Sequence, residues 1–264
     1  MLTVMTLNLA NYDDHDNWTD RLSIIVNTIT SSAADVIAVQ EVRFDPNQPS
    51  TQASYQNMAE QIVATLNSQP GYAGMALVTQ PLMFYPNSSE HYPSTGGQLW
   101  EGISILSRRP ITETGAIFLT RNGGDGNLRG TQYAAVTASS GTIYVFNTHF
   151  ALDQPNRELN AQQTLAYMTR FSGPQLLLGD LNAVPTEPAI SILSAGGLTD
   201  LWAQLEPDDN GYTYASNDPT ERIDYCWANA AAAPSVQTIQ LVATEPVNNI
   251  YASDHFGVLI TIDV

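Results

Sequence analysis

The sequence predicts an α/β protein, and three observations support this. Short β-type segments alternate with amphipathic helical segments along the whole length, which is typical of one α/β unit. The chain has 264 residues, 43% of them hydrophobic, enough for one sizeable core. It contains no internal repeat, low-complexity tract or run of like charge. We therefore expect a single domain over residues 1–264.

The first predicted elements differ in the period of their apolar residues. Leu2–Asn8 is an apolar run of strand length, whereas Trp18–Ser32 places its apolar residues on one helical face. Asn17 directly precedes this helix and is a candidate N-cap. Asp35–Gln40 is nearly all apolar, as expected for a buried strand. Gln52–Asn67 returns to helical spacing.

Later elements follow the same alternation. Gln132–Ala138 and Thr142–Thr148 predict a hairpin that turns at Ser139-Ser140-Gly141. The other predicted helices are Asn156–Phe171 and Glu187–Ala195. The other predicted strands are Gly71–Thr79, Gly102–Ser107, Gln175–Leu178, Ile223–Ala228, Val236–Ala243 and Phe256–Ile262. The segments Pro86–Thr95 and Arg121–Asn127 are rich in Pro, Asn, Ser and Gly, and they are predicted loops.

The charge balance is strongly acidic. The formal net charge is −17, and all nine basic residues are arginine. Proteins that bind nucleic acid generally neutralise phosphates with basic side chains, and this chain would repel a polyanion at long range. The composition therefore counts against tight, sequence-independent nucleic-acid binding, although a local arginine can still accept a phosphate.

Two further features concern the cellular setting. No apolar run approaches the roughly 20 residues that a bilayer-spanning helix needs. The first residues have the pattern of a β-strand. The single cysteine, Cys226, lies in an apolar strand-like run and excludes an intrachain disulfide. We expect a monomer without a transmembrane segment, in the cytoplasm.

Polar residues concentrate where the apolar strands begin or end. They are Asn8, Gln40-Glu41, Asn147-Thr148-His149, Gly179-Asp180-Leu181-Asn182, Arg222-Ile223-Asp224 and Ser253-Asp254-His255. Each one alone has an ordinary explanation as a solvated carboxylate, a turn residue or a structural histidine. Their combination indicates a site, because α/β proteins hold functional side chains at the ends of rigid strands.

The residue types favour a hard divalent cation. Mg²⁺ takes oxygen ligands, typically one or two carboxylates with water and substrate phosphate. Glu41 and Asp254 offer carboxylates, and Asn8 offers an amide oxygen. A zinc site would need several His or Cys at short spacing, which the sequence lacks. Asp180 and Asn182 lie two residues apart on one turn, where they could hold a water.

Seven short motifs, in order along nearly the whole chain, resemble those of the endonuclease/exonuclease/phosphatase superfamily. They are Thr6-Leu7-Asn8, Val39-Gln40-Glu41, Gly102–Ser107, Asn147-Thr148-His149, Gly179-Asp180-Leu181-Asn182, Ile223-Asp224-Tyr225 and Ser253-Asp254-His255. This superfamily includes pancreatic-type deoxyribonucleases, abasic-site endonucleases, neutral sphingomyelinases and inositol polyphosphate 5-phosphatases.

The resemblance implies both a fold and a set of roles. The fold is a four-layer α/β/β/α sandwich of two packed mixed β-sheets flanked by helices. The expected ligands of Mg²⁺ or Mn²⁺ are Glu41, Asn8 and Asp254. The expected catalytic residues are Asp180 and Asn182 for the attacking water, Asp224 paired with His255 beside the phosphate, and His149 at the phosphate or leaving group.

The chain departs from some members of this superfamily. Ala10 stands where abasic-site endonucleases carry an acidic residue, and Asn147-Thr148-His149 places the chain with the histidine-bearing branches. Three arginines are candidates for contact with the substrate phosphate: Arg129, Arg157 and Arg222.

The first functional hypothesis is a metal-dependent phosphodiesterase that acts as a nuclease. The alternative is a phosphoesterase for a small-molecule or lipid head-group phosphate, of a sphingomyelinase-like or sugar-phosphate kind, which tolerates the acidity better. A non-catalytic binding module that kept the fold is a third hypothesis. The complete set of motif residues counts against it.

Overall fold

The computed structural model describes residues 1–11, 17–44, 56–84, 99–123 and 126–264. Three sequence predictions lie wholly or partly outside these residues: the loop Pro86–Thr95, residues 52–55 of the predicted helix Gln52–Asn67, and residues 124–125 of the predicted loop Arg121–Asn127.

Twelve strands among the described residues form two mixed sheets of six strands each. The strands of the first sheet are β1 (Leu2–Asn8), β2 (Val36–Phe44), β3 (Ala76–Phe84), β4 (Trp100–Ser107), β11 (Val236–Val242) and β12 (Gly257–Ile262). Their order is β11-β12-β1-β2-β4-β3, and β1 runs parallel to β2 while the other neighbours are antiparallel.

The strands of the second sheet are β5 (Ile111–Phe118), β6 (Gly130–Ala138), β7 (Gly141–His149), β8 (Gln175–Asp180), β9 (Leu198–Asp200) and β10 (Asp224–Asn229). Their order is β5-β6-β7-β8-β10-β9, with β7 parallel to β8 and the other neighbours antiparallel.

The described part of the chain has five α-helices: the first four cover the outer faces of the sheets, whereas the fifth packs into the core between the sheets through Leu201 and Trp202. The helices are α1 (Trp18–Ser31), α2 (Met58–Leu66), α3 (Gln154–Met168), α4 (Pro188–Ala195) and α5 (Leu201–Leu205), and a short 3₁₀ turn spans Ala233–Ser235. No described helix has the length and apolar character that a bilayer crossing requires.

Successive side chains of each central strand point to opposite faces of its sheet, and this alternation produces the layers of the fold. On β1, Val4 faces the second sheet in the core between the sheets, whereas Met5 joins the core beneath α1 and α2. On β8, Leu176 faces the first sheet and Leu177 packs beneath α3 and α4. Two apolar faces per sheet explain the nearly continuous apolar runs in the sequence and confirm the predicted four-layer sandwich.

Buried polar side chains connect the two sheets near the end where the motifs lie. Gln40 on β2 donates to Asn147 Oδ1 on β7 at 2.7 Å, and Asn147 donates to the carbonyls of Val39 at 3.0 Å and Ser104 at 2.9 Å. All of these side chains are buried. These two motif residues therefore fix one sheet against the other, since each buried amide finds its partners across the interface.

Several predicted boundaries shift, for identifiable reasons. The strand predicted at Gly71–Thr79 begins only at Ala76, because Gly71 and Gly74 adopt left-handed turn conformations. The sequence analysis missed β5, whose residues lack strict apolar alternation, and also the short β9 and α5. Asn17 does precede α1, but its φ of 63° is left-handed and its side chain makes no capping hydrogen bond.

Candidate active site

The ends of strands from both sheets meet around one cavity of about 580 Å³. The described residues that line it are Asn11, Glu41, Arg43, Glu101, Asn127, Arg129, His149, Leu152, Asp180, Asn182, Tyr214, Glu221, Ile223, Asp254 and His255. The structure therefore brings most of the sequence-predicted site residues together. Asn8 and Asp224 lie directly behind the cavity wall, where both are buried.

A β-bulge presents Glu41 to the cavity. The pairing of β2 with β4 shifts register between Val39 and Val42, so Gln40 and Glu41 fall outside the ladder. Glu41 has a φ of 53°, a left-handed conformation that is costly for a residue with a side chain. A bulge with a strained residue is a common means of redirecting one side chain at a functional site.

Two asparagines hold the Glu41 carboxylate. Asn8 Nδ2 donates to Glu41 Oε1 at 3.1 Å and to Asp180 Oδ2 at 3.0 Å. Asn11 donates to Glu41 Oε2 from its backbone at 3.1 Å and from its side chain at 3.2 Å. Glu41 therefore keeps a defined orientation in a half-buried position.

Asn8 faces the site with its nitrogen. Its oxygen accepts from the Ala10 backbone N–H at 2.9 Å, and its nitrogen bridges two carboxylates, which need donors. The sequence analysis expected an oxygen ligand at this position. In this geometry the Asn8 nitrogen aligns the two carboxylates, and the role of Asn8 as a metal ligand stays a prediction.

Strand pairing places three site residues in a row across the second sheet. His149 on β7 is the register partner of Asp180 on β8, which is in turn the partner of Asp224 on β10. Gly179 makes the β7–β8 approach possible, because its φ is +142° and a Cβ there would lie 1.9 Å from the Thr148 carbonyl oxygen.

Asp180 is almost wholly buried. It accepts from Asn8 on Oδ2 at 3.0 Å and from the Asn182 backbone on Oδ1 at 2.8 Å. Burial, and then the charge of Asp224, raise the pKa of Asp180 to about 7. A carboxyl with a raised pKa that faces a cavity is characteristic of proton-transfer sites.

Asp224 and His255 form a hydrogen-bonded pair at 2.8 Å between Oδ2 and Nδ1. Burial lowers the pKa of His255, but the charge of Asp224 and its hydrogen bond, with the charges of Asp180 and Asp254, raise it to about 10. His255 is therefore an imidazolium at neutral pH. The ring of Tyr214 packs against it at a centroid distance of 4.8 Å.

His149 has the opposite electrostatic character. Arg129 Nη1 lies 2.9 Å from His149 Nδ1 and 3.1 Å from His149 Nε2. The guanidinium therefore lies over the face of the imidazole ring and is not aligned with the lone pair of one nitrogen. Burial, and then the charges of Arg129 and His255, lower the pKa of His149 well below its usual value. His149 is thus neutral at pH 7, a state in which a ring N–H can donate to a phosphate oxygen.

Of the three candidate phosphate-binding arginines, the structure places only Arg129 in the cavity wall. Arg157 pairs with Glu187, its Nη2 lying 2.6 Å from Oε2. Arg222 makes a two-point ion pair with Asp200 at 2.9 Å for each contact. These ion pairs hold Arg157 and Arg222 outside the cavity lining, so the geometry gives their expected phosphate role no support.

Sequence reasoning missed several cavity residues. Glu101 and Arg43 carried a usable signal, because Glu101 directly precedes a motif and Arg43 follows Glu41 by two positions on the same strand. Tyr214 and Glu221 carried none, since they lie on an irregular segment that reaches the site through isolated bridges to each other and to His255.

The donor set is compatible with a divalent cation. Glu41 and Asp254 present carboxylates to the same cavity, and oxygen ligands of this kind suit a hard ion. Asp180, Asp224 and His255 form a second group whose potential ligand atoms lie within 4.8 Å of one another. In that group His255 Nδ1 is already hydrogen-bonded to Asp224, so it resembles a charge network more than a coordination shell.

The model of the endonuclease/exonuclease/phosphatase family matches residues 5–255. The chain therefore belongs to this family, whose members are divalent-metal-dependent phosphoester hydrolases. No curated protein matches the chain by sequence.

Solved structures have the same fold. A family protein from Leptotrichia buccalis C-1013-b has a TM-score of 0.76 and 21% identity, and the match covers 100% of both chains. A mannosyl-6-phosphatase from Bacteroides thetaiotaomicron VPI-5482 has a TM-score of 0.72 and 20% identity over 100% of both chains. D. rerio TDP2 complexed with a single-strand DNA product has a TM-score of 0.72 and 19% identity, covering 100% of this chain and 99% of that one.

Proposed function

We propose that this cavity hydrolyses a phosphoester with Mg²⁺ or Mn²⁺ and a water molecule held by Asp180 and Asn182. The observation that carries the proposal is the position of Asp180. It lies in one cavity wall with Glu41, His149 and His255, and Asn8 joins it to Glu41 through two hydrogen bonds. Phosphoryl transfer depends chiefly on positioning and charge stabilisation, and these residues supply both.

Each residue receives a specific task. Glu41 and Asp254 would hold the metal ion, which supplies Lewis-acid stabilisation of the phosphoryl oxygens when bound. Asp180 orients the attacking water and accepts its proton, because a pKa of about 7 suits a base near neutral pH. The His255 imidazolium, held by Asp224, binds a phosphoryl oxygen. Neutral His149 and Arg129 bind the phosphate from the β7 side.

Two substrate classes follow from the sequence analysis. The first is a phosphodiester in nucleic acid, and the second is the phosphate of a small molecule or lipid head group. The solved structures with the same fold include one protein of each kind: TDP2 with a single-strand DNA product, and a mannosyl-6-phosphatase. Both classes therefore belong in the first substrate panel.

The first test is metal-dependent hydrolysis of single-stranded DNA, bis(4-nitrophenyl) phosphate and 4-nitrophenyl phosphate. Wild type and Asp180→Asn are purified identically, and each is assayed with Mg²⁺, with Mn²⁺ and with EDTA. We expect metal-dependent turnover that falls by roughly 10²-fold or more in the variant, since the volume is kept and the charge is removed. Asp208→Asn, an exposed change of the same charge, should keep wild-type rates.

Two results would count against this assignment. Near-wild-type turnover in Asp180→Asn would remove Asp180 from the reaction. A folded wild type that hydrolyses none of these esters with either metal would contradict phosphoester hydrolysis of these kinds.

A further inference from the structure

Thr213 lies in the irregular segment before β10, and its side chain is fully buried. Its hydroxyl oxygen accepts hydrogen bonds from the backbone N–H groups of Ile223 and Asp224, each at 3.3 Å. Its carbonyl oxygen accepts from the Phe256 N–H at 2.8 Å. One residue outside the sequence motifs therefore contacts the backbone of Asp224 and also the residue that directly follows His255.

The Asp224–His255 pair joins the two sheets. Asp224 begins β10 in the second sheet, whereas His255 lies two residues before β12 in the first sheet. Because β10 and β12 belong to different sheets, their ladders hold each strand to its own neighbours and not to the other. The 2.8 Å hydrogen bond between Asp224 Oδ2 and His255 Nδ1 therefore depends on contacts that hold these two strand ends against each other.

The Asp224 carboxylate has few side-chain contacts for a buried charge. Oδ2 is bonded to His255, whereas Oδ1 is buried and meets no hydrogen-bond donor among the described residues. A buried carboxylate ordinarily accepts several hydrogen bonds, which together fix its orientation. The position of this one depends more on its backbone, and the backbone N–H of Asp224 is bonded to Thr213.

The start of β10 needs such an acceptor. β8 pairs with β10 from Asp224 to Ala228, but β9 pairs with it only from Trp227 to Asn229. The hydroxyl oxygen of Thr213 serves the N–H groups at this strand end. Since a buried N–H without an acceptor is costly, loss of the hydroxyl oxygen would shift the backbone that carries the Asp224 carboxylate.

We propose that Thr213 is a positioning residue for the Asp224–His255 pair. Its hydroxyl oxygen holds the Asp224 backbone, and its carbonyl oxygen holds the chain after His255. The imidazole thereby keeps the orientation in which it binds a phosphoryl oxygen. This inference rests on the proposed phosphoester hydrolysis and adds to it a residue that acts through other side chains.

Three substitutions separate the hydroxyl group from the shape of the side chain. Thr213→Val keeps the shape and removes the acceptor, Thr213→Ser keeps the acceptor and loses a methyl group, and Thr213→Cys supplies sulfur, a weaker acceptor. Ser107→Ala is the matched control. Ser107 is also buried, and its hydroxyl oxygen accepts the Arg109 N–H at 3.0 Å. It lies at the end of β4 that pairs with Val36, away from the Glu41 bulge.

The measurement is kcat and KM at saturating metal, with the ester of the first panel that wild type hydrolyses fastest. We expect kcat to fall roughly tenfold in Thr213→Val, because a misplacement of about 1 Å in a positioned group can cost about 10²-fold. Thr213→Ser should stay within about threefold of wild type, and Thr213→Cys should lie between the two. Ser107→Ala should keep the wild-type kcat, even where its melting temperature falls as far as that of Thr213→Val.

The same substitutions in an Asp224→Asn background separate positioning from a general defect in folding. Asp224→Asn weakens the pair through which Thr213 acts, so in that background Thr213→Val should lower kcat by less than about threefold. A folding defect would lower activity by the same factor in both backgrounds.

The outcomes separate the two proposals. The role of Thr213 is overturned, while hydrolysis itself stands, if Thr213→Val keeps kcat within about twofold of wild type or lowers it equally in both backgrounds. Equal losses in Thr213→Ser and Thr213→Val overturn it as well, since the hydroxyl oxygen would then be unimportant. A wild type that hydrolyses none of the esters in the first panel overturns the proposed function, and this inference with it.

Discussion

Asp180 and His255 are neighbouring buried groups whose protonation states affect stability in opposite directions at neutral pH. His255 Nε2 lies 3.9 Å from Asp180 Oδ2. Burial and Asp224 make ionised Asp180 costly, whereas the surrounding carboxylates make protonated His255 favourable. The metal-free site thus holds charges that each depend on pH, and stability is linked to them.

The linkage has a definite sign. Both groups have raised pKa values in the folded state. The contribution of Asp180 to the free energy of unfolding is fully present below its unfolded pKa of about 3.8. It is lost as pH rises through its folded-state pKa of about 7. The contribution of His255 to the free energy of unfolding is present below its unfolded pKa of about 6.5. It is lost as pH rises through its folded-state pKa of about 10. At these two groups, the metal-free protein therefore loses stability as pH rises across this range.

Asp180→Asn should accordingly stabilise the metal-free protein at pH 8 while it lowers turnover by roughly 10²-fold or more. We expect its melting temperature in EDTA to exceed that of wild type by a few degrees, and the difference to shrink as pH falls towards 4. Differential scanning calorimetry from pH 4 to 9 measures both effects. Asp208→Asn controls for net charge, and an Asp180→Asn protein that is less stable than wild type at pH 8 would contradict the argument.

Among the strands, the β7–β8 pair controls the site most directly, because it carries both His149 and Asp180. The close approach of these strands depends on Gly179, where a Cβ would meet the Thr148 carbonyl. The glycine of the Gly-Asp-Leu-Asn motif thus has a backbone role, whereas the proposed catalytic roles belong to Asp180 and Asn182 after it.

Gly179→Ala should destabilise the protein by several kcal/mol or prevent folding, since a backbone clash adds to an unfavourable φ. Gly141→Ala is the matched control: its φ is +139°, but a Cβ there meets nothing within 4 Å. The control should cost only about 1–2 kcal/mol. Urea denaturation measures both free energies of unfolding, and equal losses would show that the clash at Thr148 is unimportant.

Across the whole molecule, the dominant feature is unbalanced negative charge, with 26 acidic residues against nine basic ones. Like charges on a compact body repel one another and favour the expanded state. Salt shortens the range of this repulsion, from about 10 Å at 0.1 M to about 3 Å at 1 M.

Raising NaCl from 0.05 to 1 M in EDTA should therefore increase the melting temperature at pH 8 by several degrees. The increase should be smaller at pH 5, which is closer to the sequence pI of about 4.2. Thermal melts followed by circular dichroism measure this. A melting temperature that falls or stays constant with salt at pH 8 would show that charge repulsion does not contribute significantly to the stability of the protein.

The sequence alone determined much of the fold and of the site. Periodicity located the central strands β1, β2, β7 and β8, because buried strands must be apolar and short. The polar residues that interrupt those runs predicted Glu41, His149 and Asp180 as site residues, and the structure places all three around one cavity. The order of the motifs along the chain predicted the family, which the family model confirms.

Other features depended on three-dimensional packing. The orientation of the Asn8 amide, the opposite electrostatic environments of His149 and His255, and the placement of Glu101 beside Glu41 all arise from contacts between residues far apart in the chain. Hydrogen-bond direction, desolvation and ion pairing depend on distance in space, which a linear pattern does not encode. For the same reason Arg157 and Arg222 looked equivalent to Arg129 in the sequence, yet their ion pairs with Glu187 and Asp200 hold them out of the cavity wall.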